Sequence, residues 1–321
     1  MGGDYAPEEI IKGSILAAAE IPDLEIVLVG DSVKLQSLLK KYHGYSRQSV
    51  HHASQTIGMD EPPVQAVREK KDSSINVALE LLKEKSASAV VSAGNTGAFM
   101  AAALFKIGRI PGVERPAIAT MFPTGDAKVL FLDMGANVDN KPQHLKQFGE
   151  MGSLYAEHVM HVKNPRVGLL NIGEEKEKGN ELTQAAWELL SKSNINFIGN
   201  VESKDVLSGK VDVVVCDGFV GNLVLKLAES IAYKVVNLLK QEIKKSFLAK
   251  IGAIFLFPVF KNLSKQIDYD DIGGAQLLGV NGVCIKAHGR AKAKAIKNAI
   301  RVAYDSVNED IVGCIIKEES K

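Results

Sequence analysis

Four short stretches hold residue types that could do chemistry together. They are Gly94-Asn95-Thr96-Gly97, Asp133 to Asp139 with Asn137 inside it, Asn171 to Asn180 with Glu174 and Lys178 inside it, and Asp217-Gly218 with Asn222 beyond. Each follows a short apolar run. Carboxamide side chains and glycine N–H groups offer many hydrogen-bond donors, and a glycine turn that opens a helix adds free N–H groups and the positive end of the helix dipole. Such a set suits the cradling of phosphate or the stabilisation of an oxyanion. It is poor in nucleophile–base signatures, for there is no GxSxG, no HExxH and no Walker lysine motif. Cys216 is the one candidate nucleophile, but it closes a valine run and reads better as an apolar core residue. Asp133, Asp139 and Asp217 could hold a divalent ion, yet their spacing does not demand one, so no metal and no cofactor is assigned.

Positive charge is available near these stretches. Lys141, Lys178 and Arg290 could help hold phosphate, with Gly94, Thr96, Gly97, Asn171, Asn180 and Gly218 as its neighbours. Asn95, Asn137 or Asn222 would donate to an oxyanion, and Asp133 or Asp217 would orient them. Two further segments stand apart. Lys286 to Arg301 reads as a basic helix entered through His288-Gly289-Arg290, either a solvated face or a dock for an acidic partner through Lys292, Lys294 and Lys297. Ser246 to Phe260 carries Phe255, Leu256, Phe257 and Phe260 among flanking lysines that include Lys240, Lys261 and Lys265. Within a protruding helical segment over 240–268, it reads either as an interfacial membrane contact or as a buried dimer helix or lid.

The elements that must position these residues follow from periodicity. Helices are expected at Pro7 to Ala19, Ser32 to Tyr42, Val64 to Lys70, Ser73 to Lys83, from the Gly94 turn into Ala-rich sequence, at Pro142 to Val162, up to Leu190, and from Asp217 to about Lys245. Strands are expected at Leu24 to Val29, Arg47 to His52, Ala87 to Val91, Ala117 to Phe122, Val129 to Leu132, Arg166 to Ile172, Asn196 to Ile198 and Val211 to Val215. The close pair at Ala117 and Val129, with Thr124-Gly125-Asp126 between, reads as a hairpin in a mainly parallel sheet. Strand, polar turn and helix in repetition give an α/β fold in three αβα layers, as a single unit over 1–321. In such sheets ligands bind beyond the carboxyl ends of the strands, where all four stretches are expected to converge. His51 and His52 are adjacent and would point to opposite faces of a strand, which argues against a metal pair.

Composition narrows the class. The chain has 321 residues, 46% apolar and 24% charged, a globular balance. A formal net charge of +1 argues neither for a nucleic-acid partner nor for an acidic tail, and no nucleic acid is assigned. Three scattered cysteines fit a reducing compartment and no disulfide framework. No apolar run approaches the ~20 residues needed to cross a bilayer. MGGDYAPEEIIKG opens with a turn, as though a strand that should feed it lay upstream.

With these residues assembled, the chain resembles the PlsX-type phosphate acyltransferases of bacterial phospholipid synthesis. The resemblance rests, in order, on MGGDYAPEEIIKG, SAGNTGA, DMGANVDNKP, GLLNIGEEKEKGN, INFIGNVE, VVVCDGFVGN, the GGAQLLGVNG turn and AHGR. The family usually begins with a short strand ending in Asp-Ala before Met-Gly-Gly-Asp. The resemblance implies transfer of a long acyl chain from acyl carrier protein to inorganic phosphate, giving acyl-phosphate. It implies a cytoplasmic homodimer loosely associated with the inner face of the membrane, whose product passes to a membrane glycerol-3-phosphate acyltransferase. It implies a fold similar to the phosphotransacetylases and the isopropylmalate dehydrogenase group. Rival readings are a phosphotransacetylase-like enzyme using acyl-coenzyme A, a nicotinamide-dependent dehydrogenase, and a non-catalytic membrane-peripheral scaffold.

Overall fold

Strands alternate their side chains between two apolar layers, and this alternation builds the molecule. In the computed structural model, which describes residues 1–44, 47–124, 127–260 and 273–320, β1 (Ile26–Gly30) and β2 (Gln48–His52) pair as a parallel two-stranded sheet. A second sheet of eight strands holds β3 (Ala89–Ser92), β4 (Ala117–Thr124), β5 (Ala127–Leu132), β6 (Val167–Leu170), β7 (Phe197–Val201), β8 (Val213–Val215), β9 (Ala275–Leu278) and β10 (Val283–Lys286) in the order β3-β10-β9-β4-β5-β8-β6-β7. Leu130 and Leu132 of β5 and Val213 and Val215 of β8 point into one core, while Val129, Phe131 and Val214 point into the other. Burial on both faces is why these strands read as continuous apolar runs rather than alternating ones.

Helices cover both faces, so the three αβα layers are observed. One face carries α1 (Glu8–Glu20), α6 (Pro142–His158), α7 (Glu181–Leu190), α11 (Ala293–Asn308) and α12 (Ile311–Glu319). The other carries α3 (Pro63–Glu69), α4 (Ser74–Lys83), α5 (Thr96–Lys106) and the first turns of α9 (Gly218–Lys245). The β1–β2 sheet has a small core of its own, Ile11, Leu28, Leu35 and Leu39, with α2 (Ser32–Lys41) against it. Between β1 and β3 lies a cavity of about 560 Å³, lined by Ile26 to Val29 and Ala89 to Ser92, with Ile75 and Ile300 among its walls. Met1 and Gly2 also line it.

Two expectations change. GGAQLLGVNG is not only a turn: it carries β9 and reverses at Gly279, whose φ of +88° suits glycine, into β10. Four-residue strands separated by glycines are too short to show a period of their own. The basic helix therefore begins at Ala293, and Lys286 belongs to a strand. The expected hairpin is present as β4–β5, antiparallel from Thr120–Phe131 to Thr124–Ala127; Gly125 and Asp126 lie outside the described residues.

The convergence of all four turns also changes. β3 is parallel to β10, β10 antiparallel to β9, β9 to β4, and β4 to β5. β3 and β10 therefore run opposite to β5, β8 and β6, which are mutually parallel. The Gly94 turn and the His288 loop leave at one edge of the sheet. The Asp133, Asn171 and Asp217 turns leave at the other. The β4–β5 hairpin causes this, because the two antiparallel pairs made by β9 cancel and leave β10 and β4 running the same way.

Candidate active site

At the Gly94 edge three loops meet backbone to backbone. Asp4 N donates to Gly289 O at 2.9 Å, and Ala287 N donates to Ser92 O at 2.9 Å. Gly3 allows a close approach: a Cβ there would sit 3.2 Å from Ala93 O and 3.3 Å from Gly289 O, and the neighbouring loops would have to give by a few tenths of an ångström. Ser92 Oγ accepts from Gly94 N at 3.2 Å, which tightens the turn before α5. Thr96, the first residue of α5, is exposed, so the free N-terminal end of the helix opens to solvent.

Asn95 is not a free donor. It is 6% exposed, and its Oδ1 accepts from Ala98 N at 3.0 Å as the cap of α5. Its Nδ2 donates to Gly58 O, Met59 O and Glu61 O at 3.2, 2.9 and 3.2 Å. Asn95 therefore fastens the loop after β2 onto the helix start, and an oxyanion would have to displace those bonds to use it.

Cations face this edge. Arg290 reaches Asp4 at 3.8 Å with 80% of its side chain exposed, a loose pair that leaves the guanidinium able to turn to an anion. His288 is exposed, and its Nδ1 lies 3.1 Å from Arg290 N, which donates to it. Lys286 is the residue that sequence reasoning missed. It closes β10 beside Ser92 in register, part-buried, and its Nζ donates to Ala287 O. Burial pushes its pKa down to about 8, and the carboxylate of Asp4 opposes this. The only signal in the sequence was a lysine at the end of the apolar run Val283-Cys284-Ile285.

The opposite edge is built around Asp133. Its side chain is fully buried; Oδ1 accepts from Ile118 N, Gly135 N and Ala136 N at 3.0, 3.2 and 2.9 Å, and Oδ2 from Asn137 N and Nδ2 at 2.7 and 2.9 Å. Burial raises its pKa, and these donors hold it back. Asn137 gives its remaining amide hydrogen to Pro116 O at 2.7 Å, and its carbonyl accepts from Gly218 N at 3.0 Å. A Cβ on Gly218 would lie 2.7 Å from Asp133 Oδ2, so glycine is needed for α9 to start against this loop. Asp217 caps α9 by accepting from Val220 N at 2.9 Å. Asp133, Asn137, Asp217 and Gly218 thus form one network that holds the loop, with exposed Asn222 and Lys141 at its rim.

Asn171 and Asn180 do similar work beside β6. Asn171 Nδ2 donates to Lys178 O at 3.0 Å, and Asn180 caps α7 from Thr183 N at 2.9 Å. The Lys178 side chain is exposed. Cys216 is 3% exposed with its thiol pKa pushed well up by burial, and Cys284 is pushed up to about 12, so both are protonated packing residues. Among the described residues no group of three or more His, Cys, Asp or Glu side chains is placed to hold a metal ion.

The basic helix and the apolar segment also differ from one another. Lys292 and Lys294 are exposed at the start of α11, but Lys297 pairs with Glu20 at 2.8 Å and Arg301 joins the same carboxylate at 3.2 Å. α9 has 28 residues and leads into α10 (Phe247–Phe255). Phe255, Leu256 and Phe257 are 80%, 49% and 64% exposed, and Phe260 is part-buried. Lys261, Lys265 and the rest of 261–268 lie outside the described residues.

The profile of the family described as "Fatty acid synthesis protein" matches residues 1–313. The phosphate acyltransferase of Pelotomaculum thermopropionicum is 52% identical, over 100% of this chain and 95% of that protein. That of Halothermothrix orenii is 50% identical, over 100% and 97%. Among solved structures, a phosphotransacetylase from Streptococcus pyogenes shares the fold with a TM-score of 0.64 at 16% identity, covering 95% of this chain and 92% of that one. The EutD phosphotransacetylase from Staphylococcus aureus does so at 0.61 and 18%, covering 94% and 92%. With full-length identity of this order to curated phosphate acyltransferases, the chain belongs to the phosphate acyltransferase (PlsX) family and is a transferase.

Proposed function

We propose that this enzyme transfers a long-chain acyl group from acyl carrier protein to inorganic phosphate, making acyl-phosphate for phosphatidic acid synthesis. The observation that carries the reading is the Gly94 edge, where the exposed start of α5 and the exposed cation Arg290 stand over a glycine-lined loop junction. Anion positioning is what such a junction supplies. The absence of an accessible thiol there favours direct attack by phosphate over an acyl-enzyme. An oxygen of hydrogen phosphate attacks the thioester carbonyl carbon, the oxyanion collapses, the C–S bond breaks, and the proton that phosphate carried ends on sulfur. Phosphate dianion is already nucleophilic, so holding it in line with the carbonyl is the protein's main contribution.

The acidic carrier would dock at the exposed Lys292 and Lys294, outside the Lys297–Glu20 pair. Phe219, Leu223, Leu227, Ile231, Val235 and Leu239 recur every four residues along α9 and are all exposed, a stripe suited to a second copy of the chain. Phe255, Leu256 and Phe257 would then touch the inner face of the cytoplasmic membrane, near the acyltransferase that consumes the product. Family membership removes the scaffold and dehydrogenase readings. Acyl-coenzyme A remains the competing donor, favoured by the phosphotransacetylase fold.

The test is phosphate-dependent release of free thiol from palmitoyl-acyl carrier protein, with the product trapped as hydroxamate, beside the same assay on palmitoyl-coenzyme A. Phosphate-dependent hydroxamate with the carrier substrate preferred is the expected result. Equal or better use of the coenzyme A ester would replace the donor, and thiol release without phosphate would make the reaction a hydrolysis.

A further inference from the structure

We propose that Lys286 is a phosphate ligand of this site, its ammonium group binding the oxygens that do not attack. The inference rests on the reading that phosphate binds at the Gly94 edge, and it adds a residue to that reading. Lys286 ends β10 in parallel register with Ser92, the last residue of β3, so its side chain issues from the same edge as the α5 turn. The next three residues lead to Arg290, and the Gly3–Asp4 turn packs on both loops. Two cations of different reach thus serve one junction, Lys286 from the floor and Arg290 from the rim.

Its surroundings are unusual for a lysine with a structural role. Lysines are rarely buried unless paired. Among the described residues no carboxylate oxygen lies within 4.0 Å of Lys286 Nζ, whose hydrogen bond goes to the carbonyl of its own neighbour, Ala287. The other charged or titratable groups at the junction are Asp4, which faces it and pairs loosely with Arg290, and His288, whose ring faces Arg290 N. An ammonium group taken out of water without a carboxylate partner is held at a cost, and a bound dianion would offset it. Its compact charge and three donors match a phosphate face, whereas the bidentate fork of Arg290 suits the outer oxygens.

The experiment compares wild type with Lys286→Met and Lys286→Arg, using inorganic phosphate as the probe. Calorimetric binding of inorganic phosphate and the phosphate KM of hydroxamate formation are both read. For Lys286→Met, phosphate affinity is expected to weaken roughly 10- to 100-fold and the phosphate KM to rise alike, as for one charge-assisted bond. Lys286→Arg should recover part of the loss. Thermal melting without phosphate should be equal to or above wild type for Lys286→Met, because an unpaired charge has been removed. Unchanged phosphate binding in Lys286→Met would overturn the proposal, and so would a lowered melting temperature or failure to fold, since both mark a structural lysine. If wild type binds phosphate but forms no hydroxamate from either donor, the reaction proposed above fails while the Lys286 comparison still reads out.

Discussion

At the scale of single residues, the polar side chains of this protein divide into those that fasten one loop to another and those that do not. Asn95 is of the first kind, and its chemistry makes a sharp prediction. Asn95→Ala removes the donors from three carbonyls and the cap of α5, and should cost about 1–3 kcal/mol in urea unfolding. Asn95→Asp keeps the cap but sets carboxylate oxygen against those carbonyls, so it should cost at least as much. An aspartate variant as stable as wild type would show that capping is the whole role. Lys286 is of the second kind, and the sign of its linkage is fixed. Its pKa falls from 10.5 to about 8 in the folded state, so the fold disfavours its charged form. That penalty is fully present below pH 8 and fades as pH rises toward 10.5. The stability advantage of Lys286→Met should therefore be on the order of 1–3 kcal/mol at pH 7 and shrink in alkali.

At the scale of elements, the β4–β5 hairpin and the α9–α10 arm do most to shape the molecule. The hairpin joins two groups of strands that run in opposite directions and so sends the polar turns to opposite edges, while the two antiparallel pairs of β9 cancel. The arm carries apolar side chains on both α9 and α10, and its two parts should separate by mutation. Leu256→Glu with Phe257→Glu should abolish binding to anionic liposomes and leave turnover in solution within about twofold, since neither residue touches the Gly94 edge. Loss of the proposed dimer in sedimentation, with liposome binding kept, would instead assign the α10 tip to a subunit interface. Among the described residues no helix is long and apolar enough to cross a membrane.

At the scale of the whole molecule, a net charge of +1 gives no general attraction to an acidic partner, so the carrier proposed above would have to be steered by local charge. α11 shows how that charge is divided. Lys297 and Arg301 share the Glu20 carboxylate of α1, while Lys292 and Lys294 stand exposed at the start of α11. Reversing Lys292 and Lys294 to Glu should raise the KM for acyl-carrier substrate roughly tenfold at low salt, and flatten its salt dependence. The KM for phosphate should stay unchanged. A carrier KM that does not move would remove the dock from this helix.

Much of the protein was legible without coordinates, for identifiable reasons. Apolar runs such as Val213-Val214-Val215 and the periodic faces of α6 and α9 mark strands and helices locally, because burial on one or two faces writes a period into the chain. The motifs from SAGNTGA to AHGR likewise carried the family. Strand order was different: β9 is too short for a period, and its place between β10 and β4 is decided by contacts between residues far apart in sequence. So is the role of each polar residue. Whether Asn95 faces a substrate or three carbonyls, and whether Lys286 sits on a helix surface or at a strand end beside Ser92, depends on which loops fold against them. Residue types and their turns were properties of the sequence; which turns share an edge, and which side chains remain unengaged there, only tertiary packing decided.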